Sequence, residues 1–259
     1  MRYLFSSKGG RLIVEENIYL LKEKFDKIKN QNWIEGDRKN TGSIGLLFEQ
    51  LLGKETENFE LPDFNGIEIK VKGKSLEKDV TLFNSAPDSY FMEVYRLKET
   101  YGYPDKDYQE FNVFNVKVMA NRKTKIPSGY KAQLYINAKA EIVELIIYNK
   151  NNELVDDKSS WSFALLKEKL ERKLSYLAYV EADSKFINGK KYFKYNTITF
   201  YKLRDFNVFL SLLKKGKINI TFSAGIRKTP GRIGQKYDHG TSFRINKDDL
   251  HFLFEKIKV

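Results

Sequence analysis

Pro62-Asp63-Phe64-Asn65-Gly66-Ile67-Glu68-Ile69-Lys70 is the stretch on which the reading of this chain turns. An acid behind a proline leads into a short strand in which Ile67 and Ile69 alternate with Glu68 and Lys70. Strand side chains point alternately to opposite faces, so Glu68 and Lys70 share one side and the isoleucines the other. Asp63, at the mouth of the strand, can swing its carboxylate onto the polar side. Two hard oxygen ligands and an ammonium converging there suit Mg²⁺ and a phosphodiester.

Upstream, Leu12, Ile13, Ile18, Leu21, Phe25 and Ile28 have helical spacing, which predicts a helix over 11–30 with a Lys/Glu-rich outer face. A polar, Gly-containing break over 35–42 follows. Residues 43–53 read as a second helix, with Ser43 as N-cap and Gly53 as stop. Its stripe of Ile44, Leu47, Phe48, Leu51 and Leu52 must pack on the motif's sheet, which brings Glu49 towards Asp63 and Glu68. Three clustered carboxylates repel and raise one another's pKa, a cost that a bound cation removes. Asp63, Glu68 and the Ile69 carbonyl are therefore the expected metal ligands, Glu49 a further one or a neighbour of the ligands, and Lys70 the group that orients the attacking water or neutralises developing charge.

Downstream, strands are expected over 80–84, 113–120, 132–137, 142–148, 176–182, 191–201, 218–224 and 242–245. Helices are expected over 90–101, 161–173, 206–215 and 247–257. The pattern is that of one α/β (α+β) chain, with a mixed central sheet flanked by helices and two lobes around a cleft. Residues 1–125 are expected to form mainly the catalytic lobe, and 126–259 mainly the recognition lobe plus shared sheet elements. Three other charged clusters compete with 62–70, of which Asp37-Arg38-Lys39 falls in the polar break. Glu171-Arg172-Lys173 lies inside a helix, where the side chains diverge, and is set aside. Glu181-Ala182-Asp183-Ser184-Lys185 reads as a solvated edge before the Asn188-Gly189 turn.

The 259 residues carry 46 Lys+Arg against 34 Asp+Glu, a net charge of +12. Such an excess fits a polyanionic partner, because neutralising phosphates releases counterions. No apolar run reaches the roughly 20 residues of a membrane span, and the first residues are too short an apolar segment for a signal peptide. The chain has no cysteine, which excludes disulfides and thiolate metal sites and fits a cytoplasmic protein.

The segment 226–240 is a Gly/Pro-broken, cation-rich loop. Arg227, Arg232, Asp238, His239 and Arg244 are expected around one turn that enters a DNA groove, where Arg can fork onto guanine and His can bond base edges. Asn121, Arg122 and Lys123 form a second polar turn suited to phosphate contacts. Tyr192, Phe193 and Tyr195 alternate with lysine as in a half-buried strand, so core packing is expected there rather than base stacking. His251, on the apolar face of the last helix, is expected to be structural.

The residues Asn40-Thr41-Gly42-Ser43-Ile44-Gly45-Leu46-Leu47-Phe48-Glu49-Gln50-Leu51-Leu52-Gly53, then Pro62-Asp63-Phe64 and Gly66 to Lys70, resemble the MvaI/BcnI type II restriction endonucleases, in the MutH-like branch of the PD-(D/E)xK nucleases. The resemblance extends through Asn121-Arg122-Lys123-Thr124, Tyr192 to Asn196 and Asp238 to Asn246. It implies a restriction-endonuclease-like core and Mg²⁺-dependent, sequence-specific cleavage of double-stranded DNA, with Mn²⁺ able to substitute. It also implies a monomer that cuts the strands sequentially, catalytic roles for Asp63, Glu68, Lys70 and Glu49, and base contact by the Asp238-His239-Gly240 segment. A cognate DNA methyltransferase is expected in the same system without a stable complex, and no membrane partner. The alternatives are a MutH-like strand-nicking repair nuclease and a non-cleaving, sequence-specific DNA-binding protein.

Overall fold

A computed structural model describes residues 9–36, 43–53, 61–73 and 78–259. Of the break expected over 35–42, Glu35 and Gly36 belong instead to strand Ile34–Gly36, and 37–42 lie outside the described residues, as do the side chains of Leu12 and Ile13.

The chain divides into two compact units, Met1–Lys78 with Glu171–Leu203 and Phe254–Val259, and Asp79–Leu170 with Arg204–Leu253. A cut near residue 125 therefore does not separate them. The first unit is interrupted after the motif strand and resumes only at residue 171, because strand Glu68–Gly73 takes a distant partner.

That partner is Tyr176–Ile187, which runs parallel to it with Leu177 opposite Glu68 and Tyr179 opposite Lys70. Parallel neighbours need a long crossover connection, and here the crossover contains much of the second unit. The first unit's sheet has the order Ile34–Gly36, Lys190–Leu203, Tyr176–Ile187, Glu68–Gly73. Phe254–Ile257 pairs antiparallel with the far end of Lys190–Leu203. The two long strands are joined at Asn188 and Gly189, both at positive φ, the tight-turn conformation that Asn-Gly favours.

One face of this sheet is apolar. Ile67, Ile69, Ala178, Val180, Ala182, Phe193 and Tyr195 pack there against Ile18, Leu21, Phe25 and Ile28 of helix Gly9–Asn30 and against Ile44 and Phe48 of helix Ser43–Leu51. Over their described side chains both helices follow their predicted periodicity. Phe193 and Tyr195 are buried core, as their alternation implied, and the Tyr195 hydroxyl donates to the Ile44 carbonyl at 2.9 Å. Glu68, Lys70 and Tyr179 lie on the opposite face.

The second unit holds two antiparallel sheets. One has the order Asp79–Asn84, Ser242–Asn246, Ile218–Ile226, Asn112–Val118, Tyr103–Pro104, with Lys236–Asp238 also on Ile218–Ile226; the other has the order Thr124–Lys125, Lys131–Asn137, Ile142–Tyr148, Leu154–Ser162. Phe114, Phe222, Phe243, Phe209 and Trp161 form its aromatic centre, and the Trp161 indole donates to the Ser85 carbonyl at 3.0 Å.

Three expectations are corrected here. Residues 247–257 are not one helix: a short 3-10 turn and helix Leu250–Leu253 give way to strand Phe254–Ile257, where the vacant edge of the long strand offers backbone partners. His251 is consequently exposed, its ring against Phe252. The edge expected over Glu181 to Lys185 is narrower: Glu181 and Ala182 lie between two strands, whereas Asp183 to Lys185 pair, among the described strands, with Lys190–Leu203 alone; Glu181 accepts from Thr197 at 2.9 Å and Asp183 from Asn196 at 3.0 Å, beside a bulge.

Candidate active site

The motif folds through a two-residue turn. Phe64 and Ile67 exchange both backbone hydrogen bonds, at 2.9 and 2.8 Å, while Asn65 has φ 43° and Gly66 φ 88°. An L-residue at Gly66 would meet no steric obstacle, so the left-handed backbone alone selects glycine there. Asn17 of the first helix donates to the Asn65 carbonyl at 3.2 Å and ties the turn down. The reversal carries Asp63 back beside the strand, where its Oδ2 accepts the Ile69 N–H at 2.9 Å. The proline–acid pair and the strand thus form one small scaffold.

Glu68 is only 1 % exposed. Its Oε1 meets the Lys70 ammonium at 2.5 Å and the Lys173 ammonium at 3.5 Å, whereas Oε2 is buried with no hydrogen-bond partner among the described residues. Burial pushes the Glu68 carboxyl up; Lys70 opposes this, the Asp63 charge adds to it, and Lys173 opposes it again. A buried carboxylate oxygen without a donor is costly, and a divalent cation facing Asp63 and Glu68 would satisfy it. The donor set therefore fits a hard metal ion.

Lys173 was set aside in the sequence because its helix scatters Glu171, Arg172 and Lys173 over different faces. That argument holds for the trio and fails for the single residue. Helix Phe163–Leu174 leads directly into strand Tyr176–Ile187, whose Leu177 lies opposite Glu68, so the helix's last turn arrives at the motif's own end of the sheet. The readable signal was a lysine three residues before an apolar strand able to pair with the motif.

Glu49 sits half-buried on helix Ser43–Leu51, one position past the buried Phe48. Among the described residues no three Asp, Glu, His or Cys side chains form a metal-holding group. The structure thus joins Asp63 with Glu68 and does not complete the three-carboxylate cluster expected with Glu49.

In the second unit, alternation gives the larger sheet a polar face carrying Asn115, Lys117, Asn219, Thr221, Ser223 and Arg244. Arg227 follows its central strand, with the guanidinium 4.4 Å from the Tyr237 ring centroid, and the His239 ring lies edge-on to Tyr237 at 4.2 Å. Arg232 is exposed and donates to Gln235 at 3.0 Å, and the Asp238 carboxylate accepts the Gly240 N–H at 2.8 Å, shaping that turn. Arg244 does not surround the same turn. It pairs with Asn219, eight residues before Arg227, which at about 3.3 Å per residue is roughly 26 Å along the strand. Both arginines nevertheless belong to the same face.

The second predicted cluster separates too. Arg122 lines a concavity of about 330 Å³ with Asn115, Lys117 and Lys125. Asn121 packs over Gly216, and the Lys123 ammonium lies 3.5 Å from the Tyr148 ring centroid.

A family model for the MvaI/BcnI restriction endonuclease family matches residues 22–254, nine-tenths of the chain and both halves of the interrupted unit. The chain belongs to this family. Among solved structures it is similar to restriction endonuclease MvaI in complex with its cognate DNA substrate, at 32 % identity and a TM-score of 0.87, over 93 % of this chain and 98 % of that one. It is likewise similar to MvaI in the absence of DNA, at 32 % identity and a TM-score of 0.60, over 93 % of this chain and 97 % of that one. No curated protein matches it.

The chain is accordingly a type II restriction endonuclease, a site-specific deoxyribonuclease with the mixed α+β fold of MvaI. Restriction endonucleases generally use divalent metal ions, in keeping with the hard oxygen donors of Asp63 and Glu68. No described helix is long and apolar enough to cross a membrane.

Proposed function

We propose that this restriction endonuclease hydrolyses double-stranded DNA at Asp63, Glu68 and Lys70, as a monomer that cuts the two strands in sequence. Asp63, Glu68 and the Ile69 carbonyl would hold Mg²⁺, or Mn²⁺ in its place, with Glu49 kept as a further carboxylate on the separate helix Ser43–Leu51. The ion would polarise the phosphodiester and lower the pKa of water at the site. The Ile69 amide orients Asp63, and burial fixes the Glu68 side chain. Lys70 orients the attacking water, and Lys173 supplies a second ammonium to offset the negative charge that gathers on the phosphate. The observation that carries the reading is the buried Glu68 Oε2, which has no donor among the described residues although Oε1 of the same carboxylate faces two ammoniums.

Recognition is assigned to the second unit. Arg227, Arg232 and His239 would face base edges, with Asp238 shaping their turn, while Arg244 and Arg122 extend the basic face towards the DNA backbone. Asn121 and Lys123 support that region from positions already packed on protein. The expected setting is the cytoplasm, where a cognate methyltransferase protects the host's own sites without forming a stable complex.

Conversion of supercoiled plasmid in Mg²⁺ tests this directly. Wild type should pass through open circles to linear DNA with ends at one short sequence, and Asp63→Asn, Glu68→Gln and Lys70→Met should each lose cleavage. Undiminished cutting by Asp63→Asn or Lys70→Met would sink the assigned site. Open circles that never become linear would replace sequential double-strand cutting with nicking, and binding without cleavage would leave only a DNA-binding protein.

A further inference from the structure

Lys228 stands near the start of the cation-rich segment 226–240, yet its ammonium is directed at acids of its own unit. It donates to Asp105 Oδ1 at 2.8 Å and to Asp107 Oδ2 at 2.8 Å. Asp105 is nearly buried, and the same Oδ1 accepts the Asp107 N–H at 2.9 Å and the Tyr108 N–H at 3.2 Å. The lysine is thus locked to a carboxylate that its own turn already holds in place. Gly234 lies against the ring of Phe111: a Cβ there would fall 2.4 Å from a ring carbon, at a φ of 82°. Between these anchors the backbone closes on itself, with the Arg227 N–H on the Gln235 carbonyl at 2.8 Å and the Arg232 N–H on the Thr229 carbonyl at 2.9 Å. A segment whose composition suggests a floppy loop is held at two points.

What lies beside these anchors is the stack of Arg227 on Tyr237 with His239 at its edge. A guanidinium must present its plane to guanine within a narrow angular range, and an aromatic ring beneath it removes that freedom before binding. Lys228 itself is poorly placed to contact phosphate. Reaching outwards would leave Asp105 and Asp107 unneutralised beside a polyanion.

We propose that Lys228, Asp105, Asp107 and Phe111 form a strut that fixes the Arg227–Tyr237–His239 stack for base reading, making Lys228 and Tyr237 positioning residues rather than DNA contacts. The proposal rests on the reading that segment 226–240 faces the bases. A phosphate-binding lysine and a strut lysine differ in what their loss changes. Losing one phosphate contact makes log K against log salt shallower by about 0.9 and weakens all sequences alike. Losing a strut leaves that slope unchanged and erodes the difference between right and wrong sequences.

The test measures kcat/KM in Mg²⁺ on the mapped cognate duplex and on duplexes with one pair changed, over a range of salt. Lys228→Met should lower cognate-to-changed discrimination by about ten-fold, the scale of one bidentate base contact, with the salt slope of wild type. Lys228→Arg should retain both. Phe111→Leu, which alters no charge, should reproduce the loss of discrimination and covers the case in which Lys228→Met fails to fold. A shallower slope with discrimination intact in Lys228→Met would overturn the strut in favour of phosphate contact. Discrimination unchanged in both Lys228→Met and Phe111→Leu would overturn it outright. Arg227→Ala and His239→Ala serve the separate question: wild-type discrimination in both would refute base reading by the segment itself.

Discussion

Replacing Glu68 with Gln should abolish cleavage and yet make the metal-free protein more stable. The amide keeps the shape of a side chain that is 1 % exposed and removes its charge. Burial, countered by Lys70, reinforced by Asp63 and countered again by Lys173, leaves the carboxyl's pKa raised. A carboxyl raised on folding contributes stability that is fully present below its unfolded pKa, about 4.3; that contribution is lost as pH climbs through the folded value. Wherever Glu68 ionises, its buried charge is therefore a net cost, and removing that charge should gain about 0.5–2 kcal/mol, the usual scale of relieving a functional-site compromise. For a chain of this size that is a rise in melting temperature of a few degrees. The advantage of Glu68→Gln should vanish near pH 4 and grow towards pH 8. Mg²⁺ should narrow or invert it, since a ligand at a hundred times its Kd stabilises the folded state by about 2.7 kcal/mol and the variant lacks one of the proposed donors. Thermal melts of both proteins, with EDTA and with Mg²⁺, at pH 4, 6 and 8 make the comparison. A variant melting below wild type at pH 8 in EDTA would refute the reasoning, as would an equal response of both proteins to Mg²⁺.

Other outcomes follow from contacts described above. Lys173→Met should lower kcat by about 10²-fold, the effect of deleting one charge-stabilising donor, which single-turnover cleavage would reveal; a rate within twofold of wild type would remove Lys173 from the site. Gly66→Ala should cost about 1–2 kcal/mol because φ 88° is left-handed, and cleavage should fall with it as Asp63 loses its seat on Ile69; denaturant unfolding and plasmid assays read the two effects. Leu21→Ala, at a fully buried position of the first helix, should cost about 2–5 kcal/mol by urea titration. Asp156 lies where burial raises its pKa, but bonds from Arg96, the Lys158 N–H and Tyr101, with the Arg96 charge, outweigh that and hold it below the ordinary carboxylate range. Its contribution is thus present above the unfolded pKa, about 3.9, and is lost as pH falls through the lower folded value. Asp156→Asn should accordingly destabilise the protein at pH 7, with the difference shrinking in acid melts.

The helices of the first unit were legible because their burial is apolar on one side: Ile18, Leu21, Phe25 and Ile28 state a helical period that nothing interrupts. The motif strand was legible for the same reason. Strand Leu154–Ser162 was not, because the side chains it buries before Trp161 are Asp156 and Ser159, which face Arg96, Glu93 and Tyr101 instead of hydrocarbon. A strand that buries a charged network has no hydrophobic alternation to read. The last element misled in the opposite way, since Phe254 to Ile257 continues a helical pattern, and only the edge of Lys190–Leu203 decides that it pairs as a strand. Around the site, Asp63, Glu68 and Lys70 are neighbours in sequence and could be placed by alternation alone. Lys173 is brought in by a sheet pairing between distant segments, which local pattern does not encode. The Asn65-Gly66 turn, which swings Asp63 into position, was visible as a dipeptide but lay inside a motif read for its charges.

The parallel pairing of Glu68–Gly73 with Tyr176–Ile187 joins segments roughly a hundred residues apart. During synthesis the chain therefore presents Asp63, Glu68 and Lys70 to the cell well before Lys173 and the strand that supports them have been made. A prematurely terminated chain, or one clipped within the second unit's first segment, carries the acidic motif without the sheet that braces it. The sheet that braces Asp63, Glu68 and Lys70 is thus completed only after Asp79–Leu170 and the strand Tyr176–Ile187 have been made.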